Sequence, residues 1–501
     1  MLTGVIFLKA VVTRKSWFMG KEINKREFDE NDFINFNQQL KDENEVLRSW
    51  FREDKFSKSS FVAGLELEAW LIDKNFQPAP INEAFFQATK SEYLSPELAK
   101  FNIELNVDPL PLKNDVLTGF EQSIRHHWHK CRLIAQELDA ELLATGILPT
   151  LKDTDLTIEN MSKMARYEAL NEQVLKKRKG KPLNLHIVGK TSLQSVHYDV
   201  MLEAAATSIQ VHIQVPEDKA VAYYNSSVFV SALTVAASAN SPFLFGKNLW
   251  EESRIPLFEQ AVESGGFDAV ADGPLHRVSF GSGYCRQSLM ECFDENIKHF
   301  PVLLPMCFDE ETEKLEHLRL HNGTIWRWNR PIIGFDEKGQ QHLRIEHRVM
   351  AAGPTVLDQI ANVALYYGLV HYFSVHHEIC EKVSEFSTAK DNFYQAARNG
   401  IHAKIKWLDG ESYQIQQLFS EQLLDNARLG LQELGVLESD IDYFIGVIEQ
   451  RVKTGKTGSY WQQQFVKRHG EDMQLLAKQY FINQNTGNPV HEWDLEITDV
   501  K

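Results

Sequence analysis

The sequence predicts an α+β protein with a helical C-terminal part, and three observations carry that prediction. Four segments between residues 60 and 350 alternate apolar and polar side chains with a period of two, as strands with one buried face do. Stretches of helical periodicity lie between them. From about Val356 the strand signal fades, and helical spacing runs on to residue 480 with a polar tail behind it.

At 501 residues, 43% hydrophobic and 24% charged, the chain is long enough for a large catalytic body with an accessory element. Its formal net charge of -16 leaves no basic footprint for nucleic acid and no polybasic hold on an anionic membrane. An anionic substrate therefore needs local arginines or metal ions. The five cysteines, Cys131, Cys285, Cys292, Cys307 and Cys380, are odd in number and show no CxxC spacing. Neither a disulfide framework nor a zinc site is indicated, and a reducing cytoplasm fits them best.

In chain order, the first 21 residues contain a short apolar stretch broken by Lys9, with basic residues behind it where a secretory signal carries them in front. A polar helical pattern follows Met19, so residues 1–18 read as an upstream mis-start or a disordered extension. REFDENDFINFNQQLKDENEVLRSWFR (26–52) is an amphipathic helix. The first strand, SFVAGLELEAWLI (60–72), splits into an apolar face of Phe61, Ala63, Leu65, Leu67, Ala69 and Leu71 and a second face of Val62, Gly64, Glu66, Glu68 and Trp70. FNIELNVDP (101–109) sets Phe101, Ile103, Leu105 and Val107 against Asn102, Glu104, Asn106 and Asp108.

A long helix spans 116–138, with Val116, Phe120, Ile124, Cys131 and Leu138 near helical spacing. TSIQVHIQV (207–215) sets Ile209, Val211, Ile213 and Val215 against Ser208, Gln210, His212 and Gln214. The small-residue helix SALTVAASAN (231–240) stops at Ser241-Pro242. HLRIEHRVM (342–350) sets Leu343, Ile345 and Val349, with His347 intruding, against Arg344, Glu346 and Arg348. VLDQIANVALYYGLVHYF (356–373) carries Asp358, Asn362 and His371, which makes it a buried helix rather than a membrane span.

An antiparallel sheet with its polar face in water is the plain reading of any one such strand. Lysine, common on solvent faces, is absent from all four polar lists. Carboxylates, an imidazole and guanidiniums on one face suit divalent cations carrying a nucleoside triphosphate, because hard oxygen ligands take Mg²⁺ or Mn²⁺ and arginines take phosphate oxygens. Three other motifs are set aside. KTGKTGS (453–459) lacks the first glycine of a phosphate loop and reads as a helix-ending turn; HHWHK (126–130) is a helix face; HHEIC (376–380) offers only His377 and Cys380 as zinc ligands.

Taken in order, these segments resemble the glutamate-cysteine ligase and carboxylate-amine ligase family, which shares the catalytic fold of glutamine synthetase. The resemblance rests on GLELE (64–68), IEL (103–105), SIQVHI (208–213), SANSPFLFG (238–246) with Arg254 behind it, HNGTIWRWNRP (321–331) and RIEHR (344–348), and covers roughly residues 60–380. Each motif is weak and the ordered series is strong. One position departs from the pattern: many relatives carry His-x-His on the third strand, and the first of those positions here is Gln210.

The resemblance implies a glutamine synthetase-like fold, a curved and mainly antiparallel sheet forming a funnel backed by helices. It implies ATP and Mg²⁺, with Mn²⁺ as the alternative, and formation of a γ-glutamyl amide from L-glutamate and an amine such as L-cysteine through an acyl phosphate, in cytoplasmic glutathione biosynthesis. Glu66, Glu68, Glu104, Glu346 and His212 become candidate metal ligands, Arg344 and Arg348 the groups stabilising the transferring phosphoryl, and Arg254, Arg327 and Arg330 contacts for substrate carboxylates, with Gln210 beside them. The division that follows is an N-terminal extension and helix (1–55), a ligase catalytic domain (56–385) and a helical region (386–501) that lines the substrate mouth or makes a homo-oligomer contact. Two other readings compete: a guanidino-phosphotransferase-like kinase, which needs a reactive cysteine near its acceptor, and a non-catalytic relative that binds nucleotide or a partner.

Overall fold

A computed structural model of the chain describes residues 23, 25–263 and 276–498. The expectation for residues 1–18 lies outside them. The centre is an eight-stranded sheet in which six strands run in the order Asn329–Phe335, Gln341–Ala351, Ser208–Val215, Val62–Asp73, Asn102–Asn106, Leu94–Pro96. Two short strands, Leu110–Pro111 and Ala140–Leu143, pair with opposite ends of Val62–Asp73. Every pairing in this sheet is antiparallel, and the sheet curls into a half barrel. A register shift between His347 and Met350 marks a bulge that helps to bend it.

The apolar lists predicted from the alternation form the convex face. Ala63, Leu65, Leu67, Leu71, Ile209, Val211 and Ile213 are buried, and the helices Glu217–Ser238 and Val356–His376 pack on the strand Ser208–Val215. The intruding His347 points the same way: Thr234 and Asn329 satisfy its two ring nitrogens and Tyr366 stacks on it, so the core accepts it as a neutral ring. Tyr367 ties the second helix to the sheet by donating to the carbonyls of Gly64 and His212 at 3.1 and 2.9 Å. Helix Glu217–Ser238 is long and apolar enough to cross a membrane, but 89% of its apolar stretch is buried inside the protein.

The C-terminal part continues the same packing. Helices Leu424–Glu433 and Glu438–Thr454 lie on Val356–His376. At one crossing Gly368 and Gly430 meet backbone to backbone, where a Cβ on either has no room. Arg451 donates to Asp358 Oδ1 at 2.7 Å and to the Ala237 carbonyl at 3.0 Å. Gly455, at φ 67°, ends the helix at Thr454, and residues 455–457 form the helix-ending turn expected within 453–459 before the next helix starts at Gly458. The expectation of unbroken helix after 356 needs one correction: Lys404–Lys406 and Ser412–Gln414 pair as a hairpin around Asp409-Gly410. Three-residue strands are too short to register as an alternation.

Candidate active site

The strand register decides which polar side chains meet on the concave face. His212 pairs with Gly64 on one side and Glu346 on the other, while Glu66 pairs with Gln210 and Asn106, and Glu68 with Glu104. All these side chains point to the same face, and they gather in two groups.

The first group is Glu66, His212 and Glu346, whose ligand atoms lie within 4.8 Å of one another. His212 Nε2 is 3.3 Å from Glu66 Oε1 and 3.9 Å from Glu346 Oε1. The ring is 2% exposed, and neither of its nitrogens has a hydrogen-bond partner. A buried imidazole without partners costs free energy unless something else uses its lone pair. Glu346 receives Arg330 through Nε at 2.7 Å and Nη2 at 3.1 Å, and Arg348 Nη1 lies 3.1 Å from it. Burial alone raises the Glu346 carboxyl, but Arg330, Arg348 and His212 outweigh it and hold the group far below the usual carboxylate range. Arg344 faces Glu66 and Glu346, and burial lowers its guanidinium to about 10 against their pull.

Glu68, Glu97 and Glu104 form the second group, also within 4.8 Å. Glu104 accepts from Ser95 Oγ at 2.7 Å and Asn106 Nδ2 at 3.0 Å. Burial, followed by the charge of Glu66, pushes its carboxyl up to about 8. Glu97 is raised well above the ordinary range, first by burial and then by Glu104 and Glu68. Glu203 is pushed to about 7, by burial and then by Glu68. Glu97 and Glu203 escape the sequence reading, because one follows a three-residue strand and the other sits in the short 3-10 turn Met201–Ala205. Neither position carries an alternation that would mark it.

Gln210 lies between the groups. Its Nε2 donates to Glu68 Oε1 at 2.7 Å and its Oε1 accepts from Arg348, so both polar ends are spent inside the protein. It links the two groups rather than offering a free ligand. Of the remaining arginines, Arg330 joins the first group. Arg254 instead donates to the carbonyls of Val349 and Arg348 at 2.6 and 3.1 Å and lies over the Trp328 ring, and Arg327 is held by Glu295 and Asn296.

The donor sets fit hard divalent cations. A buried imidazole with no hydrogen bond beside two carboxylates, and three crowded carboxylates that burial and mutual repulsion push up, are what such ions stabilise. Guanidiniums at the boundary suit phosphate oxygens.

Comparison with known proteins bears on the family and the fold. The model of glutamate-cysteine ligase family 2 matches residues 62–479. No curated protein sequence matches the chain. Among solved structures it is similar to glutamate–cysteine ligase from Francisella tularensis in complex with AMP, at 11% identity and a TM-score of 0.51, over 88% of this chain and 91% of that one. It is also similar to a bifunctional glutathione synthetase from Pasteurella multocida, at 11% identity and a TM-score of 0.50, over 90% of this chain and 55% of that one. At such identities the likeness is one of fold. The family match spans every strand of the curled sheet and both carboxylate groups, and the chain belongs to glutamate-cysteine ligase family 2, a carboxylate-amine ligase by family.

Proposed function

We propose that the chain is an ATP-dependent ligase that activates the γ-carboxylate of L-glutamate as an acyl phosphate and joins it to an amine, with L-cysteine the first candidate, in the cytoplasm. The observation that carries this reading is His212, buried with two free ring nitrogens between Glu66 and Glu346 and bordered by Arg330, Arg344 and Arg348. The AMP held by the Francisella ligase supports a nucleotide on this fold.

Glu66, His212 and Glu346 would hold one Mg²⁺ or Mn²⁺, and Glu68, Glu97 and Glu104 a second. When bound, such ions neutralise phosphate oxygens and draw electron density from the terminal phosphorus. The chain's own groups do the rest. Arg348 and Arg344 face the developing charge on the transferring phosphoryl, and Arg330 keeps Glu346 ionised and in place. A carboxylate oxygen attacks the terminal phosphorus as the bond to ADP breaks. The amine lone pair then attacks the acyl carbon, phosphate leaves with the C–O electrons, and the nitrogen gives up a proton.

The test is ADP release from ATP and Mg²⁺ with L-glutamate, with and without a panel of amines led by L-cysteine, followed by mass spectrometry of products. A γ-glutamyl adduct with one amine establishes the ligase and names the acceptor. Nucleotide binding without ADP release under any acid and amine overturns the proposal in favour of a non-catalytic relative.

A further inference from the structure

The five cysteines give no pairing in the sequence, yet two meet in the fold. Cys285 Sγ and Cys292 Sγ are 3.5 Å apart. The residues are 5% and 7% exposed. Cys285 is clamped to the buried helix Glu217–Ser238, where Asn225 Nδ2 donates to its carbonyl and Asn225 Oδ1 accepts its N–H, both at 2.9 Å. Cys292 lies in the first turn of the helix Met290–His299, where backbone N–H groups favour a negative sulfur.

The charges around the pair are arranged to make one sulfur nucleophilic. The contact with Cys285 and the charge of Arg327 lower the Cys292 thiol against the effect of burial, while that same contact and burial raise Cys285. Cys131, buried without such neighbours, is pushed up to about 12. Cys307 is exposed and Cys380 half-exposed, and neither is paired with a thiol among the described residues.

We propose that Cys285 and Cys292 form a reversible dithiol–disulfide site, oxidised by a small hydroperoxide. The Cys292 thiolate attacks one peroxide oxygen, the O–O bond breaks, and the departing oxygen takes a proton from solvent and leaves as water or alcohol, giving a sulfenic acid. Cys285 sulfur then attacks Cys292 Sγ, the S–OH bond breaks, and hydroxide leaves with the Cys285 proton as water. Two thiols lose two electrons and the peroxide gains them. Closing the sulfurs from 3.5 Å to the covalent distance of about 2.05 Å draws the first turn of the helix toward the clamped loop. Glu295 and Asn296, one turn further on, hold Arg327, whose charge faces Cys292, so the bond is mechanically connected to that arginine.

The experiment uses the full chain and does not depend on its ligase activity. The protein is treated with graded hydrogen peroxide, free thiols are alkylated, and tryptic peptides are read by mass spectrometry. The expected result is a linked pair joining the Cys285 and Cys292 peptides, two hydrogens lighter than their sum. It should form at least about tenfold faster than any modification of Cys131 and be removed by dithiothreitol. The linkage should persist in a Cys307→Ser/Cys380→Ser double variant. Full alkylation of both thiols after peroxide overturns the proposal, as does oxidation of Cys292 to sulfinic acid without pairing, or a link from Cys285 only to Cys307 or Cys380.

Discussion

The two carboxylate groups on the concave face lie on neighbouring strands and differ in how their charge is met. In the first, Glu346 sits under Arg330 and Arg348 and keeps its charge despite complete burial. In the second, Glu68, Glu97 and Glu104 face one another, with hydrogen bonds from Ser95, Asn106, Gln210 and the Ser208 N–H but with less cationic compensation, and burial pushes all three carboxyls up. The difference teaches that one site is electrostatically preformed while the other is frustrated until a cation arrives. A preformed site positions charge at no cost during reaction; a frustrated one makes its occupancy sensitive to metal and proton concentration.

The sharpest break in this comparison is Glu346→Gln. Ligase turnover should fall by about 10³-fold, since the fixed charge between Arg330 and Arg348 is lost. The same change leaves two buried guanidiniums facing an amide, which costs about 3–5 kcal/mol of stability. Glu66→Gln should lose comparable turnover with a smaller drop in melting temperature, because Glu66 faces His212 at 3.3 Å whereas Glu346 takes the two-point contact of Arg330. Near wild-type ADP release from both variants would place the chemistry elsewhere.

A second prediction concerns the frustrated group. Glu104 is pushed up to about 8. An acid whose folded pKa exceeds its unfolded value keeps a proton that the unfolded chain has released, so stability falls as pH rises from the ordinary carboxylate range toward 8. Protein stripped with EDTA should melt lower at pH 8 than at pH 5. Mg²⁺ should restore the loss, and Glu104→Gln should flatten the slope while removing the Mg²⁺ effect. Equal melting curves with and without Mg²⁺ at pH 8 would contradict the contrast between the groups.

Gln210→His tests the link between the groups. The ring cannot reproduce both bonds in the same geometry, so turnover should fall by roughly tenfold, from about 1–1.5 kcal/mol of lost positioning. If the new imidazole instead acts as a ligand, the Mg²⁺ requirement will drop, which separates the two roles in one titration. The smallest effect is expected from Ser95→Ala. It removes the 2.7 Å donor to Glu104. Loss of one such bond, about 0.5–1.5 kcal/mol, should change the half-saturating Mg²⁺ concentration several-fold and leave kcat at saturating metal within about twofold.

The alternation of SFVAGLELEAWLI, FNIELNVDP, TSIQVHIQV and HLRIEHRVM made the four strands legible, and with them the face on which Glu66, Glu68, Glu104, His212 and Glu346 stand. Period two is a local property of each segment, set by the pleat, and needs no knowledge of neighbours. The antiparallel curled sheet followed from the resemblance carried by those motifs, in agreement with the fold observed.

Partners across strands were decided only by tertiary structure. The candidate metal ligands, one list in the sequence, separate into two groups because register sets His212 beside Glu346 and Glu68 beside Glu104. Glu97, Glu203 and the hairpin at 404–414 come from short turns and loops with no period to read, and the Cys285–Cys292 contact joins a loop to the first turn of a helix. Arg254 and Arg327 are drawn to carbonyls and to Glu295 and Asn296 by folding of segments remote in sequence. Chemistry type is written in local pattern; which atoms meet depends on long-range pairing, where one residue of slip sends every side chain to the opposite face.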